Sequence, residues 1–587
     1  MSALLIKNLH KFLTAPTAKK FSPQMIFWFS LSLTFAAIYG ILALKQAFSA
    51  EYVVQDDARQ HVFWMRRFLD ADLFPKDLIA NYFQSVAPRG YTAVYKIGAL
   101  VGIDPIQLSK LLPPVLGLLT TAYCFGVCVE LLPVPLTGFI GALLLNQNLW
   151  MQDGLISATP KAFLYPFFLA FLYYLLRRSL IPCLVAIALL GLFYPSLVLV
   201  CACLLILQLC QWRRGLRFSG NPQDYLFCAV GLAVAMLVLM PYATGFSKFG
   251  SIITAAGARK LPEFAPGGRA SFFNDNAWDF WFNATRSGIK LTSALMPPLV
   301  YAGFLLPIIL RYKSQFVLSK HISSGIKILP QLVLASLAMF FAAHALLFKL
   351  HLPSRYTQHS LRVVMVTAAA IALTLILDAI FASTNNIQKH PLIPFTSRLL
   401  PLASCLILCT ALILYPSTLK NFLWTGYVVG EVPELYKFLQ EQPKDILIAS
   451  LADEANNLPT FAQRSIFVGS EYAIPYHRGY YRRFRQRTFK LIEAQYSQDL
   501  TDVQQFIQKY GIDFWLLDAN AFTPEYVASD RWLQQYQPLA TKVITQMQQG
   551  YTPVLSKLTD CAVLTTKGLV VLQAECIQAK SKLNLGS

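Results

Sequence analysis

The chain has 587 residues, of which 55% are hydrophobic and only 14% charged, with a net charge of +20 and a mean hydropathy of +0.48. So little charge over such length excludes an ordinary soluble enzyme and an intrinsically disordered polyelectrolyte. What remains is a polytopic α-helical membrane protein, with a more polar last third that reads as soluble.

In chain order, the first apolar run, about Met25 to Leu44, is long enough to cross a bilayer and lacks a small-residue cleavage site, so it reads as a retained anchor. Further spans are predicted at about 107–131, 136–150, 162–177, 181–195, 196–212, 224–243, 292–310, 328–349, 361–381 and 398–416; with 25–47 that makes eleven. Lys19-Lys20, Arg177-Arg178, Arg213-Arg214, Arg217, Arg311, Lys313, Lys320, Lys389 and Arg398 then fall on one side. The positive-inside rule makes that side cytoplasmic, together with the N-terminus. Topology absorbs most of the +20 charge, and nucleic acid is not expected as a partner. The predicted organisation is a transmembrane part over 1–417, with a first outer loop at 48–106 and a long outer loop at 244–291, followed by an extracytoplasmic α/β domain at 418–587.

Asp56 and Asp57 open the first outer loop. Beyond them Ala58, Val62, Met65, Leu69 and Leu73 recur at helical spacing, which predicts a helix lying along the membrane surface. Asp57 would sit at its N-cap or first turn with His61 one turn later, on the same face. Asp56 is the favoured general base, with Asp57 and His61 supporting it or binding a cation. A lone aspartate here would be read as a helix cap, but two acids at the edge of an apolar span point to chemistry.

The same outer face receives Lys161 in Ala158-Thr159-Pro160-Lys161-Ala162-Phe163, then Arg269 in the long aromatic loop, then Arg355, Tyr356 and Arg362 before a late span. Cations there suit an anionic lipid phosphate, although each also suits snorkelling at a helix end. Phe272, Phe273, Trp278, Phe280, Trp281 and Phe282 suit sugar stacking, a lid over a lipid carrier, or an interfacial aromatic belt.

An acidic pair in the first outer loop, many spans, a late Arg355-Tyr356 and an outer α/β domain together resemble the GT-C glycosyltransferase superfamily, with a likeness to bacterial, cyanobacterial-type members. The resemblance implies a polyprenyl-phosphate-linked sugar as donor, a glycan, lipid or protein as acceptor, and membrane lipids as surroundings. It further implies Asp56 or Asp57 as base or metal-linked acid, with a divalent cation such as Mg or Mn held by that pair. Arg355-Tyr356 would contact the lipid phosphate, aided by Arg362 and Lys161. No Trp-Trp-Asp signature of oligosaccharyltransferases is present, which favours transfer of a single sugar with inversion.

The C-terminal part predicts strands at Ile446–Ser450, Ser465–Val468, Asp513–Leu517 and Leu569–Leu572, with helices at Pro433–Gln440, Phe489–Tyr496 and Thr501–Lys509. Tyr476–Arg487 carries five arginines among aromatics, Arg482 included, and suits an anionic ligand or a basic face resting on lipid. Nine of eleven cysteines lie in apolar spans, so Cys561 and Cys576 are the candidate disulfide in an oxidising compartment. A non-catalytic protein binding a lipid-linked saccharide, or a secondary transporter, would share this pattern of spans.

Overall fold

The computed structural model describes residues 2–17, 22–212, 216–244, 248–387 and 395–581. Lys19, Lys20, Arg213, Arg214 and Lys389 lie outside them, as does the side chain of Arg398.

Among the described residues five helices are long and apolar enough to cross a membrane: Pro23–Ala47, Pro105–Leu131, Pro222–Thr244, Ser324–Ala345 and Ser354–Ala382. Helices Pro135–Trp150, Leu164–Leu176, Leu180–Phe193, Ser196–Gln208 and Phe395–Leu414 coincide with further predicted spans. The 13-residue members are each about 20 Å long, short of a bilayer's hydrocarbon core. The predicted span at 292–310 is not one helix. Pro297, Pro298 and Pro307 withhold backbone donors there, and the chain runs as a turn at Leu291–Ala294, a 3-10 segment Pro298–Leu305 and a short helix Leu306–Arg311.

Small residues set the closest helix approaches. A Cβ on Gly40 would lie 2.9 Å from Pro114, and one on Gly141 would lie 2.4 Å from the Cys128 sulfur. In lipid, where apolar surface gives no preference for another helix, such contact is what packing has to offer. A helix that the periodicity did not suggest, Ser2–Thr14, folds against the late span: His10 Nε2 lies 2.8 Å from Asp378 Oδ1, and the Thr14 hydroxyl donates to the same oxygen at 3.1 Å.

Past the last apolar helix the chain doubles back. Strand Tyr427–Val429 pairs antiparallel with Val53–Gln55 from the first loop, in the register Val53 with Val429 and Gln55 with Tyr427. The next strands form a five-stranded sheet in the order Ser465–Ile466, Leu447–Ser450, Phe514–Asp518, Leu569–Gln573, Ala562–Thr566. The first three are parallel and the last two antiparallel. Helices Pro433–Glu441, Arg478–Gln495 and Leu500–Tyr510 accompany the sheet. Strand Ala562–Thr566 was not predicted from the pattern. Cys561 and Cys576 form a disulfide that joins its start to the helix after Leu569–Gln573.

The long loop is ordered by the Arg-rich helix. Backbone N–H groups of Arg478 and Gly479, which have no partner inside a helix's first turn, donate to the carbonyls of Ser251 at 3.0 Å and Phe249 at 2.7 Å. Glycine is required for that approach, because a Cβ at 479 would lie 2.5 Å from the Phe249 carbonyl oxygen. Gly479→Ala is therefore expected to lower stability by about 1–3 kcal/mol, as overpacking against backbone does. A thermal melt of the purified variant beside the wild type measures the loss.

Candidate functional site

The paired strands end where the acids begin. Gln55, the last ribbon residue, accepts through Oε1 from the N–H groups of Asp57 at 2.9 Å and Ala58 at 3.2 Å, so Gln55 caps the helix Asp56–His61. Of the two positions expected for Asp57, N-cap or first turn, the structure gives the first turn. The acid is left in the first turn with its carboxylate free for other partners. The surface helix is also shorter than its periodicity suggests: Asp56–His61 gives way to a 3-10 segment at Phe63–Phe68. Ala58, Val62, Met65 and Leu73 are buried as the pattern requires, whereas Leu69 is exposed.

The two acids face different partners. Asp57 pairs with Lys161. Burial acts to raise the Asp57 pKa, but Lys161, His61 and Arg355 together hold it below the usual carboxylate range. Asp56 instead receives the Arg59 guanidinium at 2.7 Å, and Arg59 also donates to Asn457 Oδ1 at 2.7 Å.

Glu471, which no sequence motif singled out, completes the group from the C-terminal segment. Its Oε2 accepts from Gln60 Nε2 and from Arg269, each at 2.5 Å, while Arg59 stands 4.0 Å from Oε1. Burial, reinforced by the nearby charges of Asp56 and Asp57, raises its pKa against the pull of Arg269 and Arg59. Nothing in the string Gly469-Ser470-Glu471-Tyr472 carries this signal; it exists only once Asn456 Oδ1 accepts from the Glu471 N–H at 3.0 Å and turns the segment toward the first loop.

Lys161 reaches Asp57 from a strained turn. Ala158 has φ +49°, a region costly for a non-glycine residue, and its carbonyl accepts from the Tyr95 hydroxyl at 3.0 Å. Arg355 starts the helix Ser354–Ile387, which is tied to the long loop. The Ser354 hydroxyl donates to the Thr285 carbonyl at 2.8 Å and the Thr357 hydroxyl to the Ile289 carbonyl at 2.9 Å. Arg286 follows the same loop and donates to the Arg269 carbonyl at 3.0 Å.

The structure thus brings together Asp56, Asp57, His61, Lys161, Arg269 and Arg355, and leaves three expected residues elsewhere. The Tyr356 hydroxyl donates to the Leu350 carbonyl at 2.6 Å, a link within the bundle rather than a free phosphate contact. Arg362 is buried, stacked over the Tyr165 ring at 5.4 Å and bonded to Gln152 Oε1 at 2.5 Å. Arg482 points outward, exposed, on the Arg-rich helix. The loop aromatics divide as well. Phe264, Phe272 and Phe348 pack into a small core of their own with Phe273 and Phe280 beside it, while Trp278 and Phe282 stack on each other at the surface.

A divalent cation on Asp56 and Asp57 meets carboxylates already matched by Lys161 and Arg59. Among the described residues no group of three or more His, Cys, Asp or Glu side chains is assembled to hold a metal. As they stand these carboxylates face cations rather than an open coordination position, and no step below runs through a metal.

No protein-family model matches the sequence, and no curated protein matches it. Solved structures do resemble the fold. The oligosaccharyltransferase AglB of Archaeoglobus fulgidus, in complex with an inhibitory peptide and dolichol-phosphate, superposes with a TM-score of 0.56 over 89% of this chain and 73% of that one, at 11% identity. The chain shares the fold of that archaeal oligosaccharyltransferase. The A. fulgidus enzyme tethered to an acceptor peptide gives a TM-score of 0.53 at 12% identity, over 88% of this chain and 72% of that one. At such identity the likeness is one of fold.

Within this fold His61 is held toward its neutral form, edge-on to the Phe83 ring at 5.1 Å. Burial and the cations Lys161 and Arg269 push its pKa down to about 4, against the opposing pull of Asp57. Because its folded value lies below the ordinary 6.5, the unfolded chain binds the proton more readily. Its contribution to stability is therefore present above pH 6.5 and lost as pH falls toward 4. A pH series of thermal melts is expected to show His61→Gln declining less steeply than the wild type across that window.

Proposed function

We propose that the chain is a glycosyltransferase that moves a single sugar from a polyprenyl-phosphate carrier to an acceptor hydroxyl at the outer face of the membrane, with inversion at the anomeric carbon. The observation that carries this reading is the Asp57–Lys161 pair with Arg355 in electrostatic range: an ionised carboxylate set among cations of the kind that hold a lipid phosphate. The GT-C fold supports it, since AglB of the same fold was solved with dolichol-phosphate.

In the proposed step Asp57 takes the acceptor hydroxyl proton as the acceptor oxygen bonds to the anomeric carbon. The bond from that carbon to the phosphate oxygen breaks, its electron pair stays with the phosphate, and Lys161 and Arg355 offset the charge left there. A phosphate leaving group needs no general acid, so one carboxylate is enough. Lys161 has two roles in this scheme. Before the donor binds it neutralises Asp57; once a phosphate arrives the ammonium is drawn to it, and the carboxylate is released to act as base.

Asp57 is preferred over Asp56 as base because Asp56 is occupied by Arg59, a contact that ties the first loop to Asn457. Asp56 and Arg59 of the first loop, with Arg269 of the long loop and Glu471 of the C-terminal segment, then form the wall of the site placed to receive a polyhydroxylated acceptor.

Transfer from radiolabelled polyprenyl-phosphate sugars in membranes tests the assignment. Asp57→Asn should reduce turnover by about 10²- to 10⁴-fold, the range for loss of a general base, and Asp56→Asn by less. Full activity in both variants would refute the reading. A second expectation concerns pH. Since Lys161 helps hold the Asp57 pKa down, Lys161→Met should move the acid limb of the transfer profile to higher pH. An unmoved limb would assign that limb to another group.

A further inference from the structure

On the far side of the Arg-rich helix lies a cavity that the proposed transfer site does not use. It encloses about 460 Å³ and is lined by Lys76, Asn81, Arg483, Gln486, Arg487 and Lys509, with no carboxylate in its wall. The four cations come from three segments distant in sequence: the turn before helix Leu78–Val86, the helix Arg478–Gln495, and the last turn of Leu500–Tyr510. Arg483, Gln486 and Arg487 share one helix face by their spacing of three and four.

None of the four cations has a carboxylate within salt-bridge distance among the described residues. Asp77, which interacts electrostatically with Arg487, is buried behind the wall and accepts from the Ala80 N–H at 2.8 Å. Lys509 has a local reason to sit where it does, since a helix C-terminus favours a cation. Arg487 stacks over the Phe467 ring at 5.0 Å and donates to the Phe467 carbonyl at 3.5 Å. Lys76 and Arg483 have no such partner among the described residues, and converging positive charge in one cleft raises a potential that attracts anions.

The cavity also stands close to the apolar bundle. Helix Leu78–Val86 leads directly into Arg89–Leu100, whose Gly90 packs against Leu192 and Phe193 at the end of helix Leu180–Phe193. Nine helical residues span about 13 Å, so only a short stretch of chain separates the basic wall from that helix end.

We propose that this cavity binds a phosphate-class anion, and that the phosphate is the headgroup of an anionic membrane lipid, seating the C-terminal segment on the bilayer beside the transfer site. The inference does not depend on the chemistry at Asp57.

The test uses the full chain in nanodiscs, either of phosphatidylcholine alone or with phosphatidylglycerol added, and melts recorded at low and high salt. The wild type should gain several degrees of thermal stability from phosphatidylglycerol, and lose that gain in high salt. Combined Lys76→Gln, Arg483→Gln and Lys509→Gln should remove most of the gain, while Lys76→Arg, Arg483→Lys and Lys509→Arg should keep it. These three side chains are exposed, and the charge-preserving set controls for misfolding. Inorganic pyrophosphate added to phosphatidylcholine nanodiscs separates the sources. A gain there alone, abolished in the glutamine variant, upholds the anion site but overturns the lipid as its source. Equal responses of wild type and glutamine variant to both ligands, or none in either, overturn the site itself.

Discussion

The three-residue ribbon between Val53–Gln55 and Tyr427–Val429 is the constraint on which the site depends. It joins a loop that follows the first long apolar helix to a segment that follows the last, more than 370 residues later in the chain. Three residue pairs are a weak sheet in isolation. Here the first-loop strand is buried, and further bonds in the same place extend the pairing. The Asp56 N–H donates to the Gly426 carbonyl at 3.0 Å, the Gly430 N–H to the Tyr52 carbonyl at 2.7 Å, and the Thr460 hydroxyl to the Arg59 carbonyl at 3.1 Å. Once the ribbon closes, the helix bearing both acids has no freedom left in position, and Glu471 is brought opposite them.

Around that anchor the site is organised by charge matching. Every carboxylate that faces it has a cation of its own: Lys161 for Asp57, Arg59 for Asp56, Arg269 for Glu471. Removing charges from water is costly unless partners are supplied, so a partly buried group of acids demands these cations as part of its construction. Arg355 is the exception. It lies close enough to influence Asp57, yet among the described residues its side-chain hydrogen bond is to neutral Gln358 at 3.2 Å.

The long loop serves as the frame that holds cations from different helices in one place. It is pinned at three points: by Phe249 and Ser251 on the Arg-rich helix, by the buried Glu263 that meets Arg485 at 2.8 Å, and by the carbonyls of Thr285 and Ile289 on the helix that begins with Ser354. Burial acts to raise the Glu263 pKa and Arg485 opposes it. Arginines that looked in sequence like a uniform basic face therefore separate by depth. Arg485 and Arg487 are partly buried and bonded, whereas Arg482 and Arg483 reach solvent.

Hydropathy and short-range periodicity settled what depends on local sequence alone: most of the apolar helices, strands such as Leu447–Ser450 and Phe514–Asp518, and helix Leu500–Tyr510. Each follows from a residue's immediate neighbours, because burial in lipid or in a sheet imposes its pattern over a few residues. Tertiary structure decided the rest. Proline turned the region 291–311 from an anticipated span into a broken one, and Gln55 rather than Asp57 capped the acidic helix. Tyr356 and Arg362 went to the bundle interior, where a carbonyl and a tyrosine ring satisfied them. Glu471 joined the site, and Asp56 and Asp57, neighbours in sequence, were assigned to different cations. These outcomes depend on which groups meet across hundreds of residues, and the free energy of a charge is set by those distant partners, which no local pattern encodes.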